Sequence, residues 1–130
     1  MRISRDALYM EMAKLMAKRS TCLRKQVGAV VVKDARIVST GYNGVPSGYP
    51  HCDEGKCGGC SISIHAEMNA IAFAAKEGVS IKGSTLYCTM SPCINCAKVI
   101  VNSGIVRVKY EEEYRDREGL EFLMRLGLIL

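Results

Sequence analysis

The chain has 130 residues, of which 48% are hydrophobic and 24% are charged; this balance is typical of a single globular domain and excludes a disordered chain. The net charge of +5 favours a small anionic partner over a nucleic-acid polymer, which would call for a broader and more basic surface. The sequence has no apolar run of the roughly 18 residues that a membrane span needs, and residues 1–6 are too charged for a signal peptide. We therefore expect a cytoplasmic protein.

The first third of the chain predicts a helix followed by a β-hairpin. Residues 7–17 carry apolar side chains at helical spacing, with Ser4 or Asp6 available as the N-cap. The apolar stripe consists of Leu8, Met12, Leu15 and Met16, and we expect Met10 and Met12 to pack in the core or at an interface. Residues 27–32 are a β-branched run suited to a buried strand. Residues 36–42 return as a second strand after a tight turn at Asp34 and Ala35.

The rest of the chain predicts a long loop and then alternating helices and strands. Residues 43–60 are rich in Gly, Pro and Cys, and a loop of this length inside a compact domain is usually functional or pinned. The elements that follow are a helix over 66–76, a strand over 85–88, a helix over 94–103, a strand over 105–110 and a helix over 117–126. This order predicts an α/β layer fold in which the later strands run parallel through helical crossovers.

Two short segments, each at the start of a predicted helix, carry candidate metal ligands. His65 supplies a nitrogen, and Cys93 and Cys96, three residues apart, place two sulfurs on one side of a first helical turn, where the helix N-terminus stabilises thiolates. Three protein ligands leave tetrahedral zinc one open position, as in catalytic zinc sites. Zinc lowers the pKa of a water in that position, and Glu67 could carry its protons. A purely structural zinc site would leave Glu67 unexplained.

His-x-Glu followed by Pro-Cys-x-x-Cys is a signature of zinc-dependent deaminases. The chain resembles the cytidine deaminase superfamily over nearly its whole length. It is most similar to the deoxycytidylate (dCMP) deaminase branch, through residues 26–29, 41–44, 65–71 and 91–93. The resemblance implies a three-layer α/β/α fold with a mixed sheet of four to five strands in one domain, residues 1–130. The sequence stops soon after the last predicted helix, so we expect a fifth strand to be short or missing.

The resemblance also implies an activity and an assembly. The activity is zinc-dependent hydrolysis of dCMP to dUMP and ammonia, which supplies dTMP synthesis. The assembly is a homohexamer, activated by dCTP and inhibited by dTTP with Mg²⁺. The alternatives are a deaminase of free cytidine, deoxycytidine or tRNA adenosine, or a non-catalytic zinc- or nucleotide-binding module. The presence of Glu67 argues against the last of these, because a protein without activity could lose it freely.

By the same resemblance, Asn43 should hydrogen-bond the sugar hydroxyl, and the backbone near Ala66 and Ser91 should hold the pyrimidine edge. The effectors are expected to involve Gly41, Tyr42, Asn43 and Gly44; the alternative for these four residues is a turn that uses Asn and Gly for positive φ. The candidate phosphate donors are Arg19, Arg24, Lys25, Tyr114 and Arg115, and each basic residue among them could equally be a plain surface charge.

The remaining cysteines of the seven suggest a second metal. An odd number of cysteines without a secretion signal argues against a disulfide framework. Cys88 lies in an apolar strand and is expected in the core. A second, structural zinc could be bound by Cys22, Cys52, Cys57 and Cys60, with His51 able to replace one sulfur. The alternative is a set of free thiols in a mobile loop.

Overall fold

Eight regular elements alternate along residues 1–51 and 62–130, the part of the chain that the computed structural model describes. The elements are α1 (Arg5–Ala17), β1 (Gly28–Lys33), β2 (Arg36–Tyr42), α2 (Ala66–Lys76), β3 (Thr85–Met90), α3 (Ile94–Asn102), β4 (Arg107–Glu112) and α4 (Glu118–Arg125). Each corresponds to a predicted element. The strand predicted over 105–110 is observed at Arg107–Glu112, and Ile105 is buried in the core just before it begins. Among the described helices, none combines the length and the apolar character needed to cross a bilayer.

The strands form one mixed sheet in the order β2-β1-β3-β4. β1 is antiparallel to both of its neighbours, and β3 is parallel to β4 through the crossover helix α3. The β1–β2 hairpin closes at Asp34 and Ala35, whose φ values of 51° and 61° are those of a type I′ turn and match the twist of the two strands. The mixed sheet and the parallel crossover are therefore confirmed, with four strands in the described residues.

Helices cover both faces of the sheet. On one face α1 packs on β1 and β3, and the buried side chains of that layer are Tyr9, Ala13, Val30, Val32 and Tyr87. On the other face lie α2, α3 and α4, whose larger core includes Ala70, Leu86, Ile100, Leu120 and Leu123. The predicted three-layer α/β/α architecture is confirmed.

The predicted core face of α1 is wrong. Leu8, Met12 and Leu15 are 40%, 37% and 62% exposed, whereas the buried residues of this helix are Tyr9, Ala13 and Ala17. A Cβ atom on Gly28 would lie 2.0 Å from the Ala13 carbonyl oxygen and 2.6 Å from the Ala17 nitrogen. Because helix and strand backbones approach this closely, only alanine fits between them. The predicted cap is confirmed at Ser4, whose hydroxyl accepts from the Ala7 N–H at 3.1 Å.

A similar close approach fixes α4. A Cβ atom on Gly119 would lie 2.3 Å from the Pro92 carbonyl oxygen and 2.6 Å from the Cys93 carbonyl carbon. These neighbours are backbone atoms directly before α3, so they cannot rotate away as a flexible side chain could. The absence of a side chain at Gly119 therefore lets α4 dock on the segment that leads into α3.

Replacing Gly119 with alanine tests this packing. In an open helix the change from glycine to alanine stabilises by about 1 kcal/mol, because alanine is the better helix former. Here the added methyl group would overlap the Pro92–Cys93 backbone, and overpacking typically costs about 1–3 kcal/mol. We therefore expect Gly119→Ala to lower the free energy of unfolding measured by urea denaturation. Gly44→Ala is the matched control, since nothing lies within 4 Å of a Cβ atom there; unchanged or higher stability of Gly119→Ala would contradict the packing.

Candidate metal and substrate site

The three predicted metal ligands come together at the N-termini of two helices. His65 is the N-cap of α2, Cys93 is the N-cap of α3, and Cys96 lies in the first turn of α3. His65 Nδ1 is 3.4 Å from Cys93 Sγ and 3.3 Å from Cys96 Sγ. The three ligand atoms all lie within 4.8 Å of one another. The sequence separation of 28 and 31 residues is thus closed by the packing of α2 beside α3.

This donor set fits zinc. Zinc–nitrogen and zinc–sulfur bonds of about 2.0–2.1 Å and 2.3 Å at a tetrahedral angle imply nitrogen–sulfur separations of about 3.6 Å. The observed separations of 3.4 and 3.3 Å need only a small expansion. Three ligands leave one tetrahedral position open. His65 and Cys93 line a pocket, whereas Cys96 is almost fully buried behind it, so a zinc ion held by the three residues would be reached from the pocket.

The three ligand side chains share protons, and only the Cys93 thiol is shifted towards the thiolate. A hydrogen bond from the Cys96 thiol is the largest effect that lowers the pKa of Cys93, to about 4. The same contact raises the pKa of Cys96, because its proton is shared with the Cys93 sulfur. The hydrogen bond to Cys93 raises the pKa of His65. A bound metal requires both sulfurs as thiolates and the imidazole neutral, so metal would displace these protons.

Glu67 lies beside the ligand set without belonging to it. Its side chain is only 4% exposed, and burial raises the pKa of the carboxyl to about 7. The Cys96 thiol is within hydrogen-bonding reach of this carboxyl. A buried carboxyl with a pKa near neutrality can both accept and donate a proton at physiological pH, which is the property that general acid–base catalysis needs.

Packing of α2 against β2 places Glu67. A Cβ atom on Gly41 would lie 2.4 Å from the Ala66 carbonyl oxygen, so glycine lets the first turn of α2 rest directly on the strand. The Ser39 hydroxyl donates to the Ala70 carbonyl at 2.6 Å, and the Asn69 amide donates to the Tyr42 carbonyl at 2.8 Å. These contacts fix the rotation of the helix about its axis, and with it the direction of the Glu67 side chain.

The pocket has a volume of about 430 Å³, which suits a ligand of nucleotide size. Seven of the eight predicted substrate residues line it, namely Arg24, Lys25, Asn43, Ala66, Ser91, Tyr114 and Arg115. Arg19, the eighth, is exposed and lies outside the pocket wall. Val27 and Met90 line the pocket but were not predicted; they directly precede β1 and end β3. Val27 lies two residues after the predicted Lys25, and Met90 directly precedes the predicted Ser91. This closeness in sequence was the signal that could have identified both residues.

The Asn43 side chain is engaged by backbone on both sides. Its Oδ1 accepts from the Val27 N–H at 2.8 Å, and its Nδ2 donates to the Lys25 carbonyl at 2.7 Å. An amide has two acceptor positions and two N–H donors. One of each is therefore left for a ligand, so the predicted contact with a sugar hydroxyl stays a prediction that this geometry allows.

Ser91 connects the metal ligands to the opposite part of the pocket wall. This buried residue precedes Pro92 and Cys93; its N–H donates to the Glu112 carbonyl at 2.8 Å, and its hydroxyl accepts from the Tyr114 N–H at 2.7 Å. The Glu112 carboxylate forms an ion pair with Lys25 at 2.8 Å. The segments that carry the candidate phosphate donors therefore meet across the pocket mouth.

The four residues predicted to bind effectors are partly structural. Gly44 pairs with Ile64 in an isolated bridge, and neither it nor Gly41 lines the pocket. Gly41, Asn43 and Gly44 all have negative φ, so the alternative of a positive-φ turn is wrong. Effector binding at these residues stays a prediction.

The second zinc site also stays a prediction. Cys52, Cys57 and Cys60 lie outside the described residues. Cys22 lines the pocket, and the neighbouring Thr21 hydroxyl is 3.4 Å from His51 Nδ1. The predicted core position of Cys88 is confirmed: it is fully buried, and its thiol donates to the Lys109 carbonyl at 3.6 Å.

Comparison with known proteins decides the family. The sequence model described as the cytidine and deoxycytidylate deaminase zinc-binding region matches residues 3–112. The chain belongs to the cytidine and deoxycytidylate deaminase family. The matched residues include the three candidate metal ligands and Glu67, and the match ends before α4.

Relatives of this deaminase-family chain include several deoxycytidylate deaminases. The deoxycytidylate deaminase of Saccharomyces cerevisiae is 37% identical over 98% of this chain and 44% of its own length. ComE operon protein 2 of Bacillus subtilis is 44% identical over 88% of this chain and 62% of its own length. The chain thus spans about half the length of these relatives. The crystal structure of the dCMP deaminase of cyanophage S-TIM5 with dCMP and dUMP is 39% identical, with a TM-score of 0.89 over 100% of this chain and 98% of that one.

Removing one thiol tests the metal site of this family member. We expect Cys93→Ala and Cys96→Ala each to bind one zinc fewer per chain than the wild type, because two remaining ligands hold zinc poorly. The measurement is metal analysis after dialysis against a chelator. Cys88→Ala is the matched control, since Cys88 is buried like Cys96 but lies outside the ligand cluster. Full zinc retention in Cys93→Ala, or equal loss in Cys88→Ala, would show that the cluster is not the metal site.

Proposed function

We propose that the chain is a zinc-dependent hydrolase that converts dCMP and water to dUMP and ammonia. One observation carries the proposal: a buried carboxyl with a pKa near 7 lies beside a His-Cys-Cys cluster in a pocket whose wall also carries exposed arginines. The similarity to the S-TIM5 dCMP deaminase bound to dCMP and dUMP supports the choice of substrate. Free nucleosides and tRNA adenosine are the alternative substrates.

The proposed mechanism assigns proton transfer to Glu67. Zinc, when bound by His65, Cys93 and Cys96, supplies Lewis acidity that lowers the pKa of water. Glu67 accepts a proton from the attacking water as the new C4–O bond forms, and donates it to the ring nitrogen N3. Glu67 then takes the remaining proton from the new C4 hydroxyl and delivers it to the exocyclic nitrogen, so that the C4 carbonyl forms, the C4–N bond breaks and ammonia leaves. The carboxyl ends the cycle in the state in which it began.

The remaining pocket residues orient the substrate. Asn43 can offer one N–H and one lone pair to the sugar hydroxyl, and the backbone near Ala66 and Ser91 lies where the pyrimidine edge would meet the ligand cluster. Val27 and Met90 supply apolar contact for the base and sugar. Holding the ring against the reacting water converts binding energy into rate, since orientation is fixed before the chemical step.

The proposed phosphate donors are not equivalent. Lys25 is already paired with Glu112. Among the described residues, neither Arg24 nor Arg115 has a carboxylate within ion-pair distance. Both arginines line the pocket, whereas Arg19 does not. Arg24 and Arg115, with Tyr114 next to Arg115, are therefore the proposed main contacts. The homohexamer, control by dCTP and dTTP with Mg²⁺, and the cytoplasmic location rest on resemblance or composition and stay predictions.

The proton-transfer role predicts the behaviour of Glu67→Gln. Glutamine keeps the shape but cannot accept a proton, so we expect turnover of dCMP to fall by at least about 10²-fold while zinc stays bound. The measurement is the ultraviolet change on deamination, combined with metal analysis. Glu77→Gln, an exposed change at the end of the same helix, is the control and should be neutral. Near-normal activity of Glu67→Gln would refute the role.

Substrate preference tests the phosphate contacts. Charge-assisted hydrogen bonds contribute about 1.5–3 kcal/mol each. We therefore expect kcat/KM for dCMP to exceed that for deoxycytidine by a large factor in the wild type, and Arg24→Ala or Arg115→Ala to reduce this ratio about tenfold or more. Arg19→Ala, which removes a nearby charge outside the pocket, should leave it unchanged. Equal efficiency on both substrates would make the chain a nucleoside deaminase.

A further inference from the structure

A buried serine outside the pocket wall ties the basic loop in place. The segment between α1 and β1, residues 18–27, contains neither helix nor strand, and it carries Arg24 and Lys25. Its backbone path must therefore be set by individual hydrogen bonds. Ser20 is 4% exposed and lies at the start of this segment, directly after the last turn of α1.

Ser20 makes three contacts that reach both ends of the segment. Its hydroxyl donates to the Asn43 carbonyl at 2.8 Å and accepts from the Cys22 N–H at 3.2 Å. Its own carbonyl accepts from the Gln26 side chain at 2.8 Å. A single residue thus links the start of the loop, the end of the loop and the residue that follows β2.

Asn43 completes the closure from the other side. Besides its two side-chain bonds to Lys25 and Val27, its N–H donates to the Val27 carbonyl at 3.1 Å. The loop is therefore held between Ser20 and Asn43 by six hydrogen bonds in all. Arg24 and Lys25 lie between these anchors and line the pocket.

We propose that Ser20 is a positioning residue for phosphate recognition, holding the loop of Arg24 and Lys25 against Asn43 so that their side chains face the pocket. The proposal rests on the proposed function, since it needs a substrate phosphate at this part of the wall. Ser20 itself is absent from the pocket lining, so it acts through the loop backbone. Ordering a loop at the moment of binding would reduce affinity, whereas a loop ordered beforehand avoids that loss.

A positioning role of Ser20 changes the preference for dCMP over deoxycytidine, whereas a purely stabilising role does not. A shift of Arg24 and Lys25 affects substrates with a phosphate and leaves a nucleoside unaffected. Any shift of Val27 or Asn43 acts on dCMP and deoxycytidine alike, because both substrates have the base and the sugar. The ratio of kcat/KM for the two substrates therefore isolates the contribution of the loop.

The experiment measures this ratio in the wild type, Ser20→Ala, Gln26→Leu and Ser84→Ala. We expect Ser20→Ala to lower it by about 3–10-fold, the size of one to two lost hydrogen bonds. The loss should come from a higher KM for dCMP, with kcat at saturating dCMP within about twofold of the wild type. Gln26→Leu removes only the donor to the Ser20 carbonyl, on an exposed residue. Its expected loss is about 2–3-fold.

Ser84→Ala is the matched control. Ser84 is fully buried, and its hydroxyl donates to the Ile81 carbonyl at 2.6 Å, but it lies outside the pocket lining. It should lose stability as Ser20→Ala does and keep the wild-type ratio. A ratio of kcat/KM in Ser20→Ala equal to that of the wild type would overturn the proposal and leave the proposed function intact. A wild type without that preference would overturn both. If Ser20→Ala does not fold, an unchanged ratio in Gln26→Leu overturns the proposal.

Discussion

The candidate site depends on the meeting of two helix N-termini. Each terminus has unpaired N–H groups and a partial positive charge, so bringing the start of α2 to the start of α3 is unfavourable unless negative charge lies between them. His65 and Cys93 are the two N-caps, and neither makes a side-chain capping bond. The Cys93 thiolate supplies negative charge there, and a zinc ion held by the cluster would stabilise both cysteine sulfurs as thiolates. The same residues therefore serve the chemistry and the packing.

Close backbone contact keeps these termini in register. Gly41 lets α2 rest on β2, and Gly119 lets α4 rest on the Pro92–Cys93 segment. Nothing at these points is flexible enough to absorb a displacement, because the neighbouring atoms are backbone. A nitrogen–sulfur distance near 3.4 Å can then be maintained between residues far apart in sequence. Rigidity of this kind is what a metal site with one open position requires.

Sequence reasoning predicted the helices and strands, the ligand cluster and most of the pocket wall. It succeeded where chemistry depends on local spacing, since Cys93 and Cys96 share one helical turn whatever the rest of the fold does. It failed for α1, because hydrophobicity favours Leu8 and Met12 although backbone approach at Gly28 leaves room only for alanine. It could not separate Arg19 from Arg24. Which of them reaches the pocket is set by the bonds of Ser20 and Asn43, and the bond that joins these two residues spans 23 residues of sequence.

The two parts of the pocket are built differently, and Ser91 joins them. The ligand cluster is held by helices and glycine contacts, whereas the proposed phosphate donors sit on irregular segments held by single hydrogen bonds. Ser91 directly precedes Pro92, whose carbonyl oxygen packs against Gly119. The Ser91 hydroxyl also accepts a hydrogen bond from the Tyr114 N–H at 2.7 Å. The spacing between the cluster and the segment of Tyr114 and Arg115 is thereby fixed through one buried residue. A pocket with a fixed spacing can select ligands by length, because a phosphate reaches its donors only when the ring is also against the cluster. Binding energy of the phosphate is then realised in the reactive orientation, and in this way a phosphate far from the breaking bond can raise kcat/KM.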